Sequence, residues 1–373
     1  MTFDFIVIGA GISGASVAEA LAGHGKVALL EAETAPGYHT TGRSAALHTP
    51  HYGGPLVRAI NSLSRDFFHN PPDELCETPL LSRRGALGLA GPGHEAALDD
   101  VLALSTAADP VVPVSPAEAL ELAPYMRPDR IAAAVLEPGV CDIDVAAFHQ
   151  GYLKRFRKQG GELRTAFRVD NLTRSEGVWH VSSAQETLTA PVIVNAAGAW
   201  ADQIGQMAGL RPIGLVPKRR TAIMVDLPDG LDASHNPVID FAGVANYIKP
   251  EKGRLMVSPG DETPMEPQDV QPDEFDIAVL VDWLERETTL KVRRIGHSWA
   301  GLRCFVADQA PVVGFDEDTD GFFWLAGQGG FGIMMAPALA DLGKCLIVDG
   351  RFDERIKAAG VSAGDLDPAR LRA

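Results

Sequence analysis

The stretch FIVIGAGISGASVAEALAGHGKVALLE, residues 5–31, decides the fold of this chain. An apolar run ends at Gly9, and Gly9, Gly11 and Gly14 keep the G-x-G-x-x-G spacing. A second apolar run stops at an acid, Glu31. Gly9 permits a tight turn from strand to helix, Gly11 lets the backbone approach a pyrophosphate, and Gly14 lets helix and strand pack closely. The start of the helix faces the phosphate charge. Glu31 follows where a ribose hydroxyl pair needs an acceptor. Glycine turns alone are common. Here strand, turn, amphipathic helix (Ala18, Leu21 and Ala22 on one face), second strand and terminal acid come in order. The stretch therefore predicts a dinucleotide site at the opening of a parallel sheet.

Around it the composition is that of an ordinary globular protein, 46% hydrophobic and 22% charged over 373 residues, long enough for two domains. A net charge of −16 argues against nucleic acid or an anionic membrane surface as partner. No apolar run has the length of a membrane span. The first strand begins almost at Met1, without the basic n-region of a signal peptide. Cys76, Cys141, Cys304 and Cys345 are scattered with no paired spacing. That pattern fits reduced thiols in a cytoplasmic protein rather than disulfides or zinc, and no metal is expected.

Residues 39–55, HTTGRSAALHTPHYGGP, follow neither helical nor strand periodicity and read as a functional loop. Helical patterns follow at Val57–Phe68 and Glu95–Ser105. Asp144 is placed to cap a helix over Val145–Lys158 that ends at Gly160-Gly161. Strands are expected over Glu162–Phe167, Val169–Thr173, Trp179–Ser183 and Val192–Asn195. Alternating strands at Arg220–Val225, Tyr247–Lys249 and Arg254–Val257 suggest an antiparallel sheet, with a helix over Phe275–Thr288. The opening style returns in a strand over Phe322–Ala326, a glycine cluster and a helix over Ile333–Val348. Residues 351–373 read as a polar, weakly ordered tail. Parallel and antiparallel segments alternate, so the two domains are expected to interleave: 1–46, 142–215 and 296–373 in one, 47–141 and 216–295 in the other. The fold class is α/β.

The second glycine cluster, GQGGFGI (327–333), opens a helix about 300 residues after the first. A nicotinamide enzyme needs one such anion-binding turn. FAD bound in extended form needs a second, because negative charge develops at the N1–C2=O edge of its ring during reduction and a helix N-terminus stabilises it.

The opening fingerprint, TTGRSAA (40–46), VNAAGAWAD (194–202), GLRCFVADQAPVVG (301–314) and GFFWLAGQGGFGI (321–333) occur in order. Together they resemble the glycine oxidase/D-amino-acid oxidase superfamily of FAD enzymes. Within it the chain is most similar to the bacterial FAD-dependent D-arginine dehydrogenases, through PGYHTTGRSAA, FHNPP, CETPLLS, DIDVAAFHQGYL, PKRR and WAGLR. The resemblance implies a Rossmann-like FAD-binding domain of the GR2 type interleaved with an antiparallel-sheet substrate domain.

An enzyme that oxidises an amino acid at Cα must fix the carboxylate, and arginine does so with a planar fork that keeps its charge. Arg220 and Arg303 match the family's carboxylate-binding positions. Arg220 stands beside Lys218 and Arg219, and the sequence by itself does not choose among them; strand alternation and the resemblance pick Arg220. Tyr52 and Tyr247 match tyrosines that approach the carboxylate, Tyr52 on an active-site loop. Three substrate-site positions depart from the D-arginine pattern. Ala86 stands where a guanidinium-pairing Glu is expected, Leu47 replaces a His, and Met334 replaces a Gln. A desolvated carboxylate–guanidinium pair is worth about 2–5 kcal/mol when one partner is truncated. These departures predict a side-chain preference shifted from arginine toward apolar or larger groups, with Gly330 beside them.

The resemblance assigns the FAD pyrophosphate and ribose to Gly9, Gly11, Ser13, Gly14, Glu31 and Ala32. Arg43, Ser44, Ala45 and Ala46 would line the flavin, and Val169 the adenine. Ala197, Gly198 and Gly301 would approach the cofactor closely, and Gly330, Phe331, Gly332 and Ile333 would sit at its N1–O2 edge. Cys304 does not match the register of covalent flavin attachment, so FAD is expected to be non-covalent. The expected reaction is oxidative deamination of a D-amino acid by hydride transfer to flavin N5, giving a 2-oxo acid and ammonia. Electrons would pass to a quinone or another acceptor. No acid/base residue is evident for the Cα proton; His48 and His51 read as loop histidines. The alternatives are an O₂-using oxidase of the glycine/sarcosine type, a 2-hydroxy acid dehydrogenase, which needs a base this chain does not display, and a flavin-binding protein without activity.

Overall fold

A computed structural model describes residues 1–372. Its first layer is a six-stranded sheet. In spatial order the strands are Val312–Phe315, Phe322–Ala326, Val192–Asn195, Phe5–Ile8, Val27–Leu30 and Glu162–Arg164. The five from Phe322–Ala326 to Glu162–Arg164 run parallel, and Val312–Phe315 pairs antiparallel at the edge. The inner strands are continuous apolar runs because both faces are covered: Ile6, Val7, Leu29, Ile193, Val194 and Phe323 are fully buried. The helix Ile12–Leu21 packs against Gly332–Lys344, joining the head and the tail of the sequence on one face of this sheet.

A second, nine-stranded sheet combines Ala86–Ala90, Val112–Val114 and Ala133–Glu137 with strands from the second half of the chain. The longest of these are Val216–Asp226 and Ile295–Phe305, paired antiparallel. Alternation separates its faces. Leu87, Ile223, Ile239, Ile248, Leu255 and Val257 point to a core shared with Leu280, Trp283 and Leu284 of the helix Glu274–Glu287. The other face looks toward the first sheet. Ile295–Phe305, which the expected boundary at 296 gives to the dinucleotide domain, is hydrogen-bonded throughout to the second sheet.

Three local expectations need correction. Glu95–Ser105 is not one helix but a 3-10 turn, Glu95–Leu98, followed by a single turn, Asp99–Leu102. Only Leu98 of that segment is buried, so no apolar stripe sustains a longer helix. The loop 39–55 contains a two-residue strand, Leu47–His48. The tail is ordered. Asp353 caps the helix Glu354–Ala358, Phe352, Ile356, Val361 and Leu366 are buried, and Arg372 donates to Asp316 at 2.6 Å. The carboxylate of Asp316 also accepts from the indole of buried Trp324 at 2.8 Å. Its buried apolar residues, Phe352, Ile356, Val361 and Leu366, are widely spaced in a polar segment and hide this docking from a pattern search.

Candidate active site

The carboxyl ends of the parallel strands and the exposed face of the nine-stranded sheet enclose a cavity of about 820 Å³, where open α/β sheets place their ligands. One wall is built by the fingerprint. Gly9 takes φ +99°, and a β-carbon on Gly14 would lie 1.7 Å from the carbonyl oxygen of Gly9. Helix and strand therefore meet as closely as backbone allows. Glu31 is buried, accepts from the amides of Ala10 and Glu33 at 3.0 Å each, and reaches the cavity beside Ala32 and Val169. Gly11, Ser13, Ala197 and Gly198 complete this wall.

The loop after Gly37 closes the cavity between the two sheets. Thr41 accepts from the Ile12 amide at 3.0 Å, Thr40 donates to the carbonyl of Leu302 at 2.8 Å, and Arg43 donates to Ala300 at 3.0 Å and Val270 at 3.3 Å. Arg43 is also paired with Asp269, and the Trp299 indole donates to the Arg43 carbonyl at 3.1 Å. These bonds lay Arg43, Ser44, Ala45 and Ala46 along the cavity opposite Gly301.

The far wall is cationic. Alternation along Val216–Asp226 turns Arg220 into the cavity, while Arg219 faces away onto Asp261 at 3.2 Å and Asp276 at 2.6 Å. Arg220 lies opposite Gly301 and Lys218 opposite Arg303 on the neighbouring strand. Burial, and next the charge of Arg303, lower the proton affinity of Arg220. Burial also opposes the charge of Arg303, but Tyr247, Tyr52 and Glu262 outweigh it and hold its guanidinium above the ordinary value. Glu262 bridges this cluster, 2.8 Å from Lys218 and 3.3 Å from Arg220. Tyr52 stands edge-on to Phe331, with ring centroids 4.9 Å apart. The amide Nε2 of Gln328 is buried at the cavity without a protein partner.

Most of the residues singled out from the sequence line this one cavity, including Leu47, Gly330, Gly332, Ile333 and Met334. Three stand behind it. Gly14 serves helix packing, Phe331 supports Tyr52, and Ala86 is buried with Val140 and Val238. Cys304 reaches the wall, and burial pushes its thiol up to about 12. His51 Nδ1 sits 2.8 Å from Glu137, and burial, with the charges of His69 and Arg65, lowers His48 to about 4. The sequence reading missed Glu262 and Asp240. Asp240 is exposed on the cavity wall, and desolvation there, with Glu137 nearby, raises its carboxyl to about 6. An acid inside the strand Val238–Phe241, cross-strand from Tyr247, was the available signal.

Residues 4–343 match the family model of the DAO-type FAD dependent oxidoreductases, so the chain belongs to that family and FAD is its cofactor. The glycine cradle, the buried Glu31 and the orphaned Gln328 amide fit such a group. The glycine oxidase of Geobacillus kaustophilus is 26% identical over 238 residues, 61% of this chain and 59% of that one. The glycerol 3-phosphate dehydrogenase of Caloramator mitchellensis is 25% identical over 354 residues, 91% of this chain and 72% of the other. Human mitochondrial dimethylglycine dehydrogenase is 28% identical over 149 residues, 39% of this chain but only 17% of that protein, so the chain spans a small part of this relative's length. Among solved structures, L-proline dehydrogenase from P. horikoshii superposes with a TM-score of 0.82 at 21% identity, covering 99% of this chain and 97% of that one, and shows the same fold. No helix among the described residues is long and apolar enough to cross a membrane.

Proposed function

We propose that this FAD-dependent oxidoreductase carries out the oxidative deamination of D-amino acids. The observation that carries the reading is the convergence of Arg220, Arg303, Tyr52 and Tyr247 on one cavity wall, with Gly330 against Arg303 at the start of the helix Gly332–Lys344. Two guanidiniums and two phenols make a receptor for a carboxylate. Its place beside the helix start puts the neighbouring Cα where the cofactor's reactive end would lie.

Gly9, Gly11, Ser13, Glu31 and Ala32 would hold the pyrophosphate and ribose of FAD, with Val169, Ala197 and Gly198 around them. Arg43 to Ala46 and Gly301 would flank the flavin, and Gly330, Gly332 and Ile333 would lie at its N1–O2 edge. FAD, when bound, supplies the two-electron oxidation. The chain's residues orient the substrate: the arginines fix its carboxylate, and the tyrosines hydrogen-bond it, Tyr52 braced edge-on by Phe331. The substrate loses two electrons and two protons across its Cα–N bond to become an imino acid. Water then converts this to a 2-oxo acid and ammonia. Non-covalent retention fits the raised Cys304 thiol, which stays protonated and unreactive.

The preference for a side chain other than that of arginine rests on Ala86, Leu47 and Met334; Leu47 and Met334 line the cavity, and Ala86 is buried beside Val140 and Val238. Leu47, Val238, Asp240 and Met334 form the wall itself. Product analysis tests the reaction: equimolar ammonia and 2-oxo acid from D-amino acids and not from their L-enantiomers is expected. Turnover confined to 2-hydroxy acids would overturn it. Stoichiometric peroxide in air would identify an oxidase in place of a dehydrogenase passing electrons to a quinone or another acceptor.

A further inference from the structure

A second cavity, of about 330 Å³, shares no lining residue with the first. It lies where the helices Ile12–Leu21, Pro55–His69, Val145–Lys158 and Gly332–Lys344 meet the short helix Glu354–Ala358. Its volume is at the small end of the range of ligand pockets, and nothing in the proposed reaction uses it. Ala20, Leu63, Pro337 and Ala340 make it apolar inside, and the ring of Phe67 stacks on that of Tyr152 with centroids 5.7 Å apart. Its charged groups are three acids, Glu19, Asp66 and Asp341, against one cation, Arg355.

Tyr152 is 2% exposed and lines this cavity, yet its hydroxyl makes no hydrogen bond among the described residues. Burial, with the charges of Glu19 and Asp341, raises the phenol well above its ordinary value, so it stays neutral. A buried hydroxyl without a partner is costly, and native structures supply one. Glu19 already accepts from Arg155 and Gln159 at 2.8 Å each, and Asp341 lies 2.8 Å from Arg355 and 3.4 Å from Lys344. Asp66 has neither an ion pair nor a side-chain hydrogen bond among the described residues. The acids repel an anion. No group of three or more His, Cys, Asp and Glu among the described residues is arranged to hold a metal ion. An organic ammonium group meets every demand: it donates to the phenol oxygen, balances the acids and lies against the stacked rings. Its alkyl chain covers the apolar interior.

We propose that this cavity is a second ligand site, which takes a small alkylammonium ion without a carboxylate, its nitrogen held by the Tyr152 hydroxyl and the acidic rim and its chain by Pro337 and Ala340. The site stands independently of the amino-acid reading, because the two cavities have no residue in common. One helix, Gly332–Lys344, carries Ile333 and Met334 to the first cavity and Pro337, Ala340 and Asp341 to the second.

The test is titration calorimetry of the FAD-loaded protein with n-butylammonium, ammonium and 1-butanol. Butylammonium is expected to bind about ten-fold or more tightly than ammonium, and butanol not measurably. Tyr152→Phe, which removes one oxygen and keeps the ring, should raise Kd for butylammonium about five-fold or more. Asp66→Lys, on the exposed rim, should raise it about ten-fold. Flavin colour retained in both variants shows that they are folded. A Kd that both variants leave unmoved, butanol binding as tightly as butylammonium, or no binding of butylammonium to the wild type overturns the proposal.

Discussion

A β-carbon on Gly330 would lie 2.8 Å from Nη1 of Arg303 and 3.2 Å from its Cζ, so the guanidinium is seated against the backbone that starts the helix Gly332–Lys344. Head-to-tail folding thus couples the tail glycine cluster to the carboxylate receptor. Gly330→Ala must push Arg303 away, and a misfit of this kind costs about 1–3 kcal/mol. KM for the amino acid and Kd for benzoate should rise together, roughly five- to a hundred-fold, with a melting temperature lowered by a few degrees. An unaltered Kd for benzoate would show that Arg303 does not hold the carboxylate.

Gly14→Ala tests the fingerprint wall. The added carbon would stand 1.7 Å from the Gly9 carbonyl oxygen, a clash with backbone that cannot be relieved locally. The expected outcome is purified protein with little or no 450 nm absorbance. Gly23→Ala, where nothing lies within 4 Å, is the control and should keep its colour. A yellow Gly14→Ala protein would contradict the packing described.

Glu262 holds Lys218 and Arg220 in the absence of substrate and competes for the arginine that a carboxylate needs. Its side chain is half exposed, so the pair is weak, about 0.5–1 kcal/mol. Glu262→Gln should lower KM about two- to five-fold with kcat little changed. A raised KM would mean that Glu262 helps bind the substrate, for instance through its amine.

Acid stability carries the signature of His48. The folded protein keeps this histidine neutral down to about pH 4, chiefly through burial, whereas the unfolded chain protonates it near its ordinary value. Its contribution is fully present above about pH 6.5 and is lost as pH falls toward 4, up to about 3 kcal/mol. His48→Leu should flatten the fall of melting temperature between pH 7 and 5. An equal slope in both proteins would place the acid sensitivity elsewhere.

The opening βαβ unit and its dinucleotide turn were legible because strand period, glycine spacing and terminal acid all agree over 27 consecutive residues, 5–31. Alternation together with the family resemblance picked Arg220 over Arg219, and the two side chains lie on opposite sides of the strand. What stayed hidden depends on pairing between distant strands. Asp240 joins the wall beside Tyr247 only once Val238–Phe241 pairs with Tyr247–Glu251, and Ala86 leaves the wall because it packs with Val140 and Val238. The ordered tail escaped because its anchor, Arg372 on Asp316 beneath Trp324, joins side chains that local sequence cannot bring together.

The most direct test is anaerobic mixing of the yellow protein with D- and L-amino acids, N-methyl amino acids and 2-hydroxy acids, following the flavin absorbance. Rapid bleaching by a set of D-amino acids, lost in Arg303→Ala, is the expected result. Bleaching by L-amino acids, N-alkylated substrates or hydroxy acids alone would contradict D-amino acid deamination while leaving the fold and cofactor in place.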